Sequence, residues 1–500
     1  MSPASGERPD VIADVRLTGS DRLDPFGDEP VDVHLRDGVI SDIAPAGSLP
    51  RRGAVLEADG AWLTRGLVDH HVHVVQWALT AQRVALGDAA GAAEAAARMG
   101  AAPVLEDGRR VGTGMRDAFW PDAPSRSVLD AATGDVPTYI INADVHSVWL
   151  NSAALRREGF PLDDSGMLRE EPAFEISRRL NDVDPVVGDR YVAAAMRTAA
   201  ARGVTGIVDL DMAWNPGNWA RRLETGFDTL RVTFGVYPAL LDAAIAAGLT
   251  TGDALDPDGL VRMGSLKVIT DGSLGTRTAA CSHAYAGDPG NTGVLTIPPD
   301  ELLDLMTRAT GSGLSCAIHA IGDVANSHAL DTFAATGATG TIEHAQLVAH
   351  ADLPRFTRLG VGASVQPEHA VDDRDLSDSI WAGQTAMAYP LRALADVGAN
   401  LLFGSDAPVS PLDPWAALSA AVHRTRDGRE AWHPDQTLDA ATALAASSAG
   451  GSATGNDLAP GMLADLAVID RDPLTAGEQE LRATRVAATL VAGRLTHSAT

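Results

Sequence analysis

The stretch Gly66-Leu67-Val68-Asp69-His70-His71-Val72-His73 begins as an apolar strand and ends in a His-x-His pair. Side chains two positions apart on a strand point to the same face, so His71 and His73 can hold one cation together. Imidazole suits zinc, iron, nickel and copper. A single histidine is more often an ordinary hydrogen-bonded residue, so the interpretation as a metal site depends on other segments. The alternation of the strand turns His70 away from such a metal.

Three further apolar segments end in a potential metal ligand: 315–319 in His319, 341–344 in His344 and 401–406 in Asp406. In a (β/α)8 barrel the active site lies at the carboxyl ends of the strands, where these side chains would meet. Helix-compatible stretches, such as 299–311 and 326–335, alternate with the strands. The alternation predicts an α/β fold with a parallel sheet, in the form of a distorted (β/α)8 TIM barrel around a metal centre.

Lys267, in the run 263–275, is the only lysine among the 39 Lys and Arg residues of this 500-residue chain. A buried lysine can lose its proton, whereas arginine stays charged. The neutral amine can act as a nucleophile, a base or a Schiff-base former, or it can take up CO2 as a carbamate that bridges two metal ions. A buried ion pair and an uncarboxylated metal ligand are further alternatives. A GC-rich coding bias favours arginine everywhere, so the informative feature is the position of this lysine.

Six segments of the chain, 66–73, 144–152, 267–275, 319–323, 342–346 and 404–409, resemble motifs of one family in both order and spacing. That family is the metal-dependent amidohydrolase superfamily, and the chain is similar to its branch of N-substituted formamide deformylases (amidohydrolase 3). A lone His-x-His is weak, but six segments in family order along nearly the whole chain make chance agreement improbable.

The resemblance implies a metal centre made by six residues: His71, His73, Lys267, His319, His344 and Asp406. His71 and His73 would hold the more buried metal, together with Asp406. His319 and His344 would hold the second, and carboxylated Lys267 would bridge the two. Two Zn²⁺ ions per chain are the default expectation, with manganese, iron and cobalt as alternatives.

Asp406 is the candidate catalytic base. Paired cations lower the pKa of bound water toward neutrality. A carboxylate within hydrogen-bond reach can take the proton and return it to the leaving amine. Ser405-Asp406-Ala407-Pro408 also fits a helix start, so capping is the alternative role. Glu343 and Asp323 flank the ligand motifs and are expected to be hydrogen-bond partners rather than ligands.

Six residues are candidate substrate contacts: His146, Trp149, Asn151, Arg277, Gln366 and His369. The segment 144–152 lines the pocket near the reacting carbonyl in the resembling family. His146 is therefore also a candidate catalytic residue that orients the carbonyl or stabilises the oxyanion. Val145 stands where that family usually has glycine, which would narrow the pocket. The alternative role for each of these residues is packing.

The sequence predicts a barrel domain and a second, discontinuous domain. Residues 66–455 would form the barrel, with an inserted lid or subdomain at about 74–138 that supplies apolar walls and excludes water. A surface excursion without contact to substrate is the alternative for this insertion. Short strands separated by Gly, Pro and Asp turns occupy 1–65 and 456–500, and we expect them to form one small β-sandwich.

The expected partner is a small-molecule substrate, and the composition disfavours two other classes of partner. A formal net charge of -27 disfavours binding to nucleic acid and to anionic membranes. No apolar stretch reaches transmembrane length, and the amino terminus lacks the apolar core of a signal peptide, which predicts a cytoplasmic protein. Cys281 and Cys316 are too few for a disulfide framework. A homodimer is a candidate assembly.

The leading hypothesis is a metal-dependent enzyme that hydrolyses a non-peptide C–N amide bond of a small molecule, such as an N-formyl or N-acyl amine, with water that the metals activate. A cyclic amidase, a deaminase or an esterase could use the same site, and fold alone does not separate them. A non-catalytic relative that keeps the scaffold for binding is the hypothesis from another class, although such proteins usually lose metal ligands.

Overall fold

A computed structural model describes residues 6–19, 26–27, 29–117, 120–142, 147–169 and 171–499. The chain divides into two compact units, Met1–His73 with Met196–Thr500, and Val74–Ala195. The second unit begins where the sequence places the insertion, and it continues past residue 138 to Ala195. The division into a barrel over 66–455 and a sandwich from both termini stays a prediction of domain boundaries.

The central sheet of the first unit has eight strands: β6 (Leu67–Val72), β12 (Val204–Asp209), β13 (Arg231–Val236), β14 (Val261–Ile269), β15 (Ser315–Ala320), β16 (Gly340–His344), β18 (Gly362–Val365) and β20 (Leu401–Phe403). Neighbours pair in parallel in the order β20-β18-β16-β15-β14-β13-β12-β6. A parallel bridge between Val72 and Ala407 brings the two edges together. The prediction of a distorted (β/α)8 barrel is therefore confirmed.

The helices of this unit are α7 (Asn215–Glu224), α8 (Leu241–Ala246), α9 (Pro299–Gly311), α10 (Asp323–Thr336), α11 (Leu353–Leu359), α12 (Pro367–Asp372), α13 (Arg374–Ile380), α14 (Leu391–Asp396), α15 (Pro414–His423), α16 (Ala440–Ala446) and α17 (Glu478–Arg482). Two short strands, β17 (Leu347–Val348) and β19 (Met387–Ala388), pair antiparallel beside the barrel strands. Helices α9 and α10 match the predicted helical stretches. Pro299 suits the first turn of α9, and Gly337 ends α10 in the left-handed conformation.

Strands from both termini form one mixed sheet: β1 (Val11–Leu17), β2 (Val31–Arg36), β3 (Val39–Pro45), β4 (Val55–Glu57), β5 (Trp62–Arg65), β21 (Leu466–Ile469), β22 (Val486–Val491) and β23 (Arg494–Ser498). Strand β21 pairs antiparallel with β5, which joins the carboxyl-terminal strands to the amino-terminal ones. Alternate residues of these strands bury a shared core that includes Ile12, Val33, Leu466 and Leu490. The sheet fits the predicted terminal sandwich.

Among its described residues, the second unit has its own five-stranded sheet and six helices. Its strands are β7 (Val84–Ala85), β8 (Arg110–Met115), β9 (Thr138–Asn142), β10 (Ser147–Leu150) and β11 (Met167–Arg169), in the order β11-β10-β9-β8-β7. Its helices are α1 (Val74–Thr80), α2 (Ala92–Ala101), α3 (Arg126–Thr133), α4 (Ser152–Glu158), α5 (Glu171–Asn181) and α6 (Pro185–Ala200), the last of which runs into the first unit. Two apolar clusters around Met99 and Ile176 give this unit a core.

A search of the described ranges for membrane spans finds no helix with both the length and the apolar character that crossing a bilayer requires. Cys281 and Cys316 are both buried free thiols.

Gly340 is the first residue of β16, and both its backbone conformation and its close surroundings exclude a side chain. Its φ is 146°, and an added Cβ would lie 1.8 Å from the Cys316 carbonyl oxygen on the paired strand. We expect Gly340→Ala to lower the free energy of unfolding by about 3 kcal/mol, through overpacking and strain. Gly311→Ala is the control, because nothing lies within 4 Å of its Cβ position. Thermal unfolding should show a clearly lower Tm for Gly340→Ala alone, and equal Tm values for both variants would contradict the expectation.

Candidate metal centre

Three side chains meet at the carboxyl ends of the barrel strands. His71 comes from the end of β6, His344 ends β16, and Asp406 follows β20. One ligand atom from each lies within 4.8 Å of the other two, and all three residues are buried. Within the part of the chain that the structure describes, this is the one group of three or more His, Cys, Asp or Glu that meets such a spacing.

A buried carboxylate fixes the orientation of His71. The Nδ1–H of His71 donates to Oε2 of Glu343 over 2.7 Å. Nε2 of His71 is then the free nitrogen, and it lies 3.5 Å from Oδ1 of Asp406. A carboxylate that holds one ring nitrogen fixes the tautomer and makes the other nitrogen a better metal ligand. Glu343 therefore occupies the hydrogen-bonding position that the sequence suggests for it.

Gln366 orients His344 in the same way. The Nδ1–H of His344 donates to Oε1 of Gln366 over 2.8 Å, which leaves Nε2 free. His344 has a φ of 77°, a conformation uncommon for any residue other than glycine. Such strain collects at functional sites where the surrounding structure enforces it.

Asp406 connects the two histidines of the His-x-His pair. Its Oδ1 lies 3.2 Å from Nε2 of His73, and its backbone N–H donates to the carbonyl oxygen of His71 over 2.8 Å. The other ring nitrogen of His73, Nδ1, is buried and has no hydrogen-bond partner among the described residues. The pair and Asp406 thus form one compact group.

Lys267 lies on β14 and is only 1% exposed. Its Nζ has no hydrogen-bond partner among the residues that the structure describes. Burial lowers the pKa of Lys267 to about 8, although the charges of Glu343 and Asp406 act to raise it. A buried ammonium without a hydrogen bond is costly, so burial moves the equilibrium toward the neutral amine, while a pKa of about 8 keeps the ammonium as the main form at pH 7. The geometry does not support the alternative of a hydrogen-bonded buried ion pair.

The pKa values of the carboxylates and of His344 at the candidate metal centre are shifted from their ordinary values. Burial raises the pKa of Glu343, but the hydrogen bond from His71 and the charge of Lys267 outweigh it and bring the pKa to about 2. Burial also raises the pKa of Asp406, but the surrounding histidines, with the hydrogen bond from His73, hold it well below its usual range. Burial lowers the pKa of His344 well below the ordinary value. Two ionised carboxylates and neutral imidazoles are the forms that bind metal.

His319 lies beside this group rather than inside it. Its ring centroid is 4.5 Å from that of His344, and its Nε2 is 3.4 Å from Oδ1 of Asp271. Asp271 is buried and accepts backbone N–H groups from Ile321 and Gly322, so it holds the loop after β15. The structure brings His319 next to a ligand but does not give it the ligand spacing of the other three.

The donor set suits a divalent transition metal. The barrel buries four potential donor groups. They are the free Nε2 atoms of His71 and His344, the Asp406 carboxylate, and the Nζ of Lys267, which has no partner among the described residues. Imidazole and carboxylate ligands are typical of zinc, iron, manganese and cobalt. The residues present therefore fit the metal that the motif predicts, and the assignment of all six predicted ligands stays a prediction.

The alternative role of Asp406 as a helix cap is wrong. The next helix, α15, begins at Pro414, and its cap is Asp413, whose side chain accepts the N–H of Trp415. Asp406 has a φ of 55° in a turn that precedes no helix directly.

The predicted substrate contacts fall in different places. His146 lies outside the described residues. Trp149 and Asn151 are fully buried in the second unit, where Asn151 caps α4 by accepting the N–H of Ala154. Arg277 is exposed in the loop after β14. A role of any of these residues in binding substrate stays a prediction.

Gln366 and His369 do lie at the metal centre. Gln366 holds His344, and the ring of His369 is nearly parallel to that of His344 with centroids 6.3 Å apart. Whether either side chain contacts a substrate stays a prediction.

The sequence alone assigns no role to two residues at the site, Asp69 and Gln346. Asp69 is buried and accepts the backbone N–H groups of both His71 and Ser405, which joins β6 to the loop after β20. Burial raises the pKa of Asp69 to about 6. Gln346 contacts His369. The signal for Asp69 is its place on the same strand face as His71, two residues away.

Glu343→Gln is expected to weaken metal binding by about 10- to 100-fold, because the amide holds His71 without the negative charge that increases its basicity. Competition with a fluorescent chelator measures the affinity. Glu301→Gln, on the exposed first turn of α9, is the matched control. If the metal affinity of Glu343→Gln equalled that of the wild type, His71 would not be a metal ligand whose basicity depends on Glu343.

Fold and site together define a hydrolase barrel with a metal centre at the carboxyl ends of its strands. Residues 54–497 match the model of the amidohydrolase family. The chain belongs to the amidohydrolase family, and the predictions of the family and of an enzyme that hydrolyses carbon–nitrogen bonds are confirmed.

The chain is also similar to named proteins and to solved structures. The chain is 27% identical to Protein LONG AFTER FAR-RED 3 of Arabidopsis thaliana, over 99% of this chain and 92% of that protein. It is 26% identical to the N-substituted formamide deformylase of Arthrobacter pascens, over 75% of this chain and 76% of that protein. The crystal structure of an uncharacterised metal-dependent hydrolase from Pyrococcus horikoshii OT3 matches with a TM-score of 0.79 and 26% identity, over 94% of this chain and 99% of that one.

Proposed function

We propose that the protein hydrolyses the amide bond of a small N-formyl or N-acyl amine. The reaction would take place at a centre that holds two divalent metal ions, with zinc as the default metal. The observation that carries the proposal is the convergence of His71, His344 and Asp406 beside buried Lys267, whose Nζ has no hydrogen-bond partner among the described residues. The similarity to the N-substituted formamide deformylase supports the substrate class.

When bound, the metals would supply Lewis acidity toward the carbonyl and acidify the attacking water. His71 and His344 would hold them through Nε2, since Glu343 and Gln366 occupy both Nδ1 atoms. Lys267, as a carbamate, would supply a bridging carboxylate, and CO2 addition to the amine releases one proton. His73 and His319 would complete the ligand set.

We assign the role of general base to Asp406. Its carboxylate is held ionised by the surrounding histidines, so it can accept the proton of the attacking water. The same proton, held on Oδ1 or Oδ2, then passes to the nitrogen of the leaving amine as the C–N bond breaks. One group thereby serves both halves of the reaction and returns to its starting state.

The test is a panel of N-formyl and N-acetyl amines, assayed with zinc-loaded protein and with chelator-treated protein. We expect release of formate or acetate in equal amount with the amine, and loss of turnover on chelation. Cyclic amides, aminated heterocycles and carboxylic esters in the same panel represent the other reactions of such a site. Turnover of one of those classes, without any of the N-acyl amines, would overturn the proposed substrate class.

A further inference from the structure

Two polar atoms beside the metal centre are buried without a protein partner. Oε1 of Gln346 and Nε2 of His369 make no hydrogen bond within the described ranges. Gln346 is 4% exposed and His369 is 6% exposed. A buried polar group without a partner costs free energy, so such groups are paired with ordered water or with a ligand.

The two side chains contact each other through their remaining polar atoms. Nε2 of Gln346 lies 3.4 Å from Nδ1 of His369. In a neutral imidazole, one ring nitrogen donates and the other accepts. If Gln346 donates to Nδ1, then Nε2–H of His369 is a free donor and Oε1 of Gln346 a free acceptor.

The ability of the pair to offer both a donor and an acceptor does not depend on which way the amide of Gln346 is turned. If its oxygen faced the ring instead, Nδ1–H of His369 would donate to it, Nε2 would be the free acceptor and the amide NH2 the free donor. In both arrangements the pair offers at least one donor and one acceptor.

The pair is placed next to a candidate ligand but is not needed to hold it. Gln346 follows His344 by two residues, and the rings of His369 and His344 are nearly parallel with centroids 6.3 Å apart. Gln366 already takes Nδ1 of His344. The free atoms of the pair are therefore not needed to position the candidate ligand His344.

We propose that Gln346 and His369 form a hydrogen-bonding subsite for a second amide-type group of the substrate, with one C=O acceptor and one N–H donor, beside the bond that is cleaved. The inference rests on the proposed function and narrows its substrate class from N-acyl amines in general to those that carry a carboxamide-like substituent. Sites that pair a polar substituent reject an apolar isostere strongly, because the site's own groups are then left unpaired.

The test uses two substrates of equal shape, N-formyl-3-aminopropanamide and N-formyl-3-methylbutylamine, whose ends are a carboxamide and an isopropyl group. We expect zinc-loaded protein to favour the carboxamide by about 100-fold in kcat/KM, mainly through KM. Gln346→Leu and His369→Phe should each reduce that preference to about tenfold or less with metal content unchanged. Gln479→Leu, exposed on α17, is the matched control and should keep the preference.

Calorimetric binding of the two product amines, 3-aminopropanamide and 3-methylbutylamine, separates this inference from the proposed function. If neither formamide is cleaved but the carboxamide amine still binds more tightly, and Gln346→Leu abolishes the difference, the reaction class is wrong and the subsite stands. If both formamides are cleaved without preference, or the preference survives in Gln346→Leu and His369→Phe, the subsite is wrong and the proposed function stands.

Discussion

Asp406→Asn is expected to lower kcat on an N-acyl amine substrate by about 10²- to 10⁴-fold, the usual contribution of a general base. The amide keeps the shape of the side chain and one oxygen for a metal, but it cannot take a proton from water. Steady-state kinetics on protein of measured metal content separates loss of the base from loss of metal.

The matched control for this substitution is Asp396→Asn, which makes the same chemical change on the exposed end of α14. The control should retain wild-type kcat and KM. Near wild-type turnover by Asp406→Asn with full metal occupancy would refute the role of Asp406 as the base.

Lys267→Ala is expected to lower turnover by about a thousandfold, because the centre loses the group proposed to bridge its metals. Lys267→Arg should be equally impaired, since arginine keeps the positive charge but cannot become a neutral amine at working pH. Turnover and metal content are measured for both variants in the same buffers.

A rescue experiment sharpens this prediction. Acetate or propionate should restore part of the activity and metal content of Lys267→Ala, because a short carboxylate can replace the carbamate between the metals. Lys267→Arg lacks the space for the added carboxylate, so it is the control that should not respond. High activity of Lys267→Arg without any addition would mean that only a positive charge is needed at this position.

The sequence predicts the barrel well, because four of its eight strands, β6, β15, β16 and β20, leave a local signal. The apolar run before His71 and the short strand that ends in His344 indicate buried parallel strands, and the stretch 299–311 has a proline start and helical spacing. The strand β8 is harder to predict, since Gly112 and Gly114 weaken its pattern.

The sequence suggests that Glu343 is a hydrogen-bond partner, but it does not show which ligand each partner orients. Glu343 contacts His71 across a separation of 272 residues, and which carboxylate faces which ring depends on the register of β16 in the closed barrel. The contact between Gln346 and His369 depends on side-chain rotamers in a loop and a short helix. Local propensity carries no information about such long-range pairs.

Metal analysis tests the central claim most directly, through elemental analysis of protein purified without chelator alongside Lys267→Ala prepared in the same way. We expect about two metal ions per wild-type chain, fewer in the variant, and loss of hydrolysis when the metal is removed. About one ion per chain that is unchanged in Lys267→Ala would contradict the lysine-bridged pair. Full hydrolytic activity in a metal-free chain would contradict the metal centre itself.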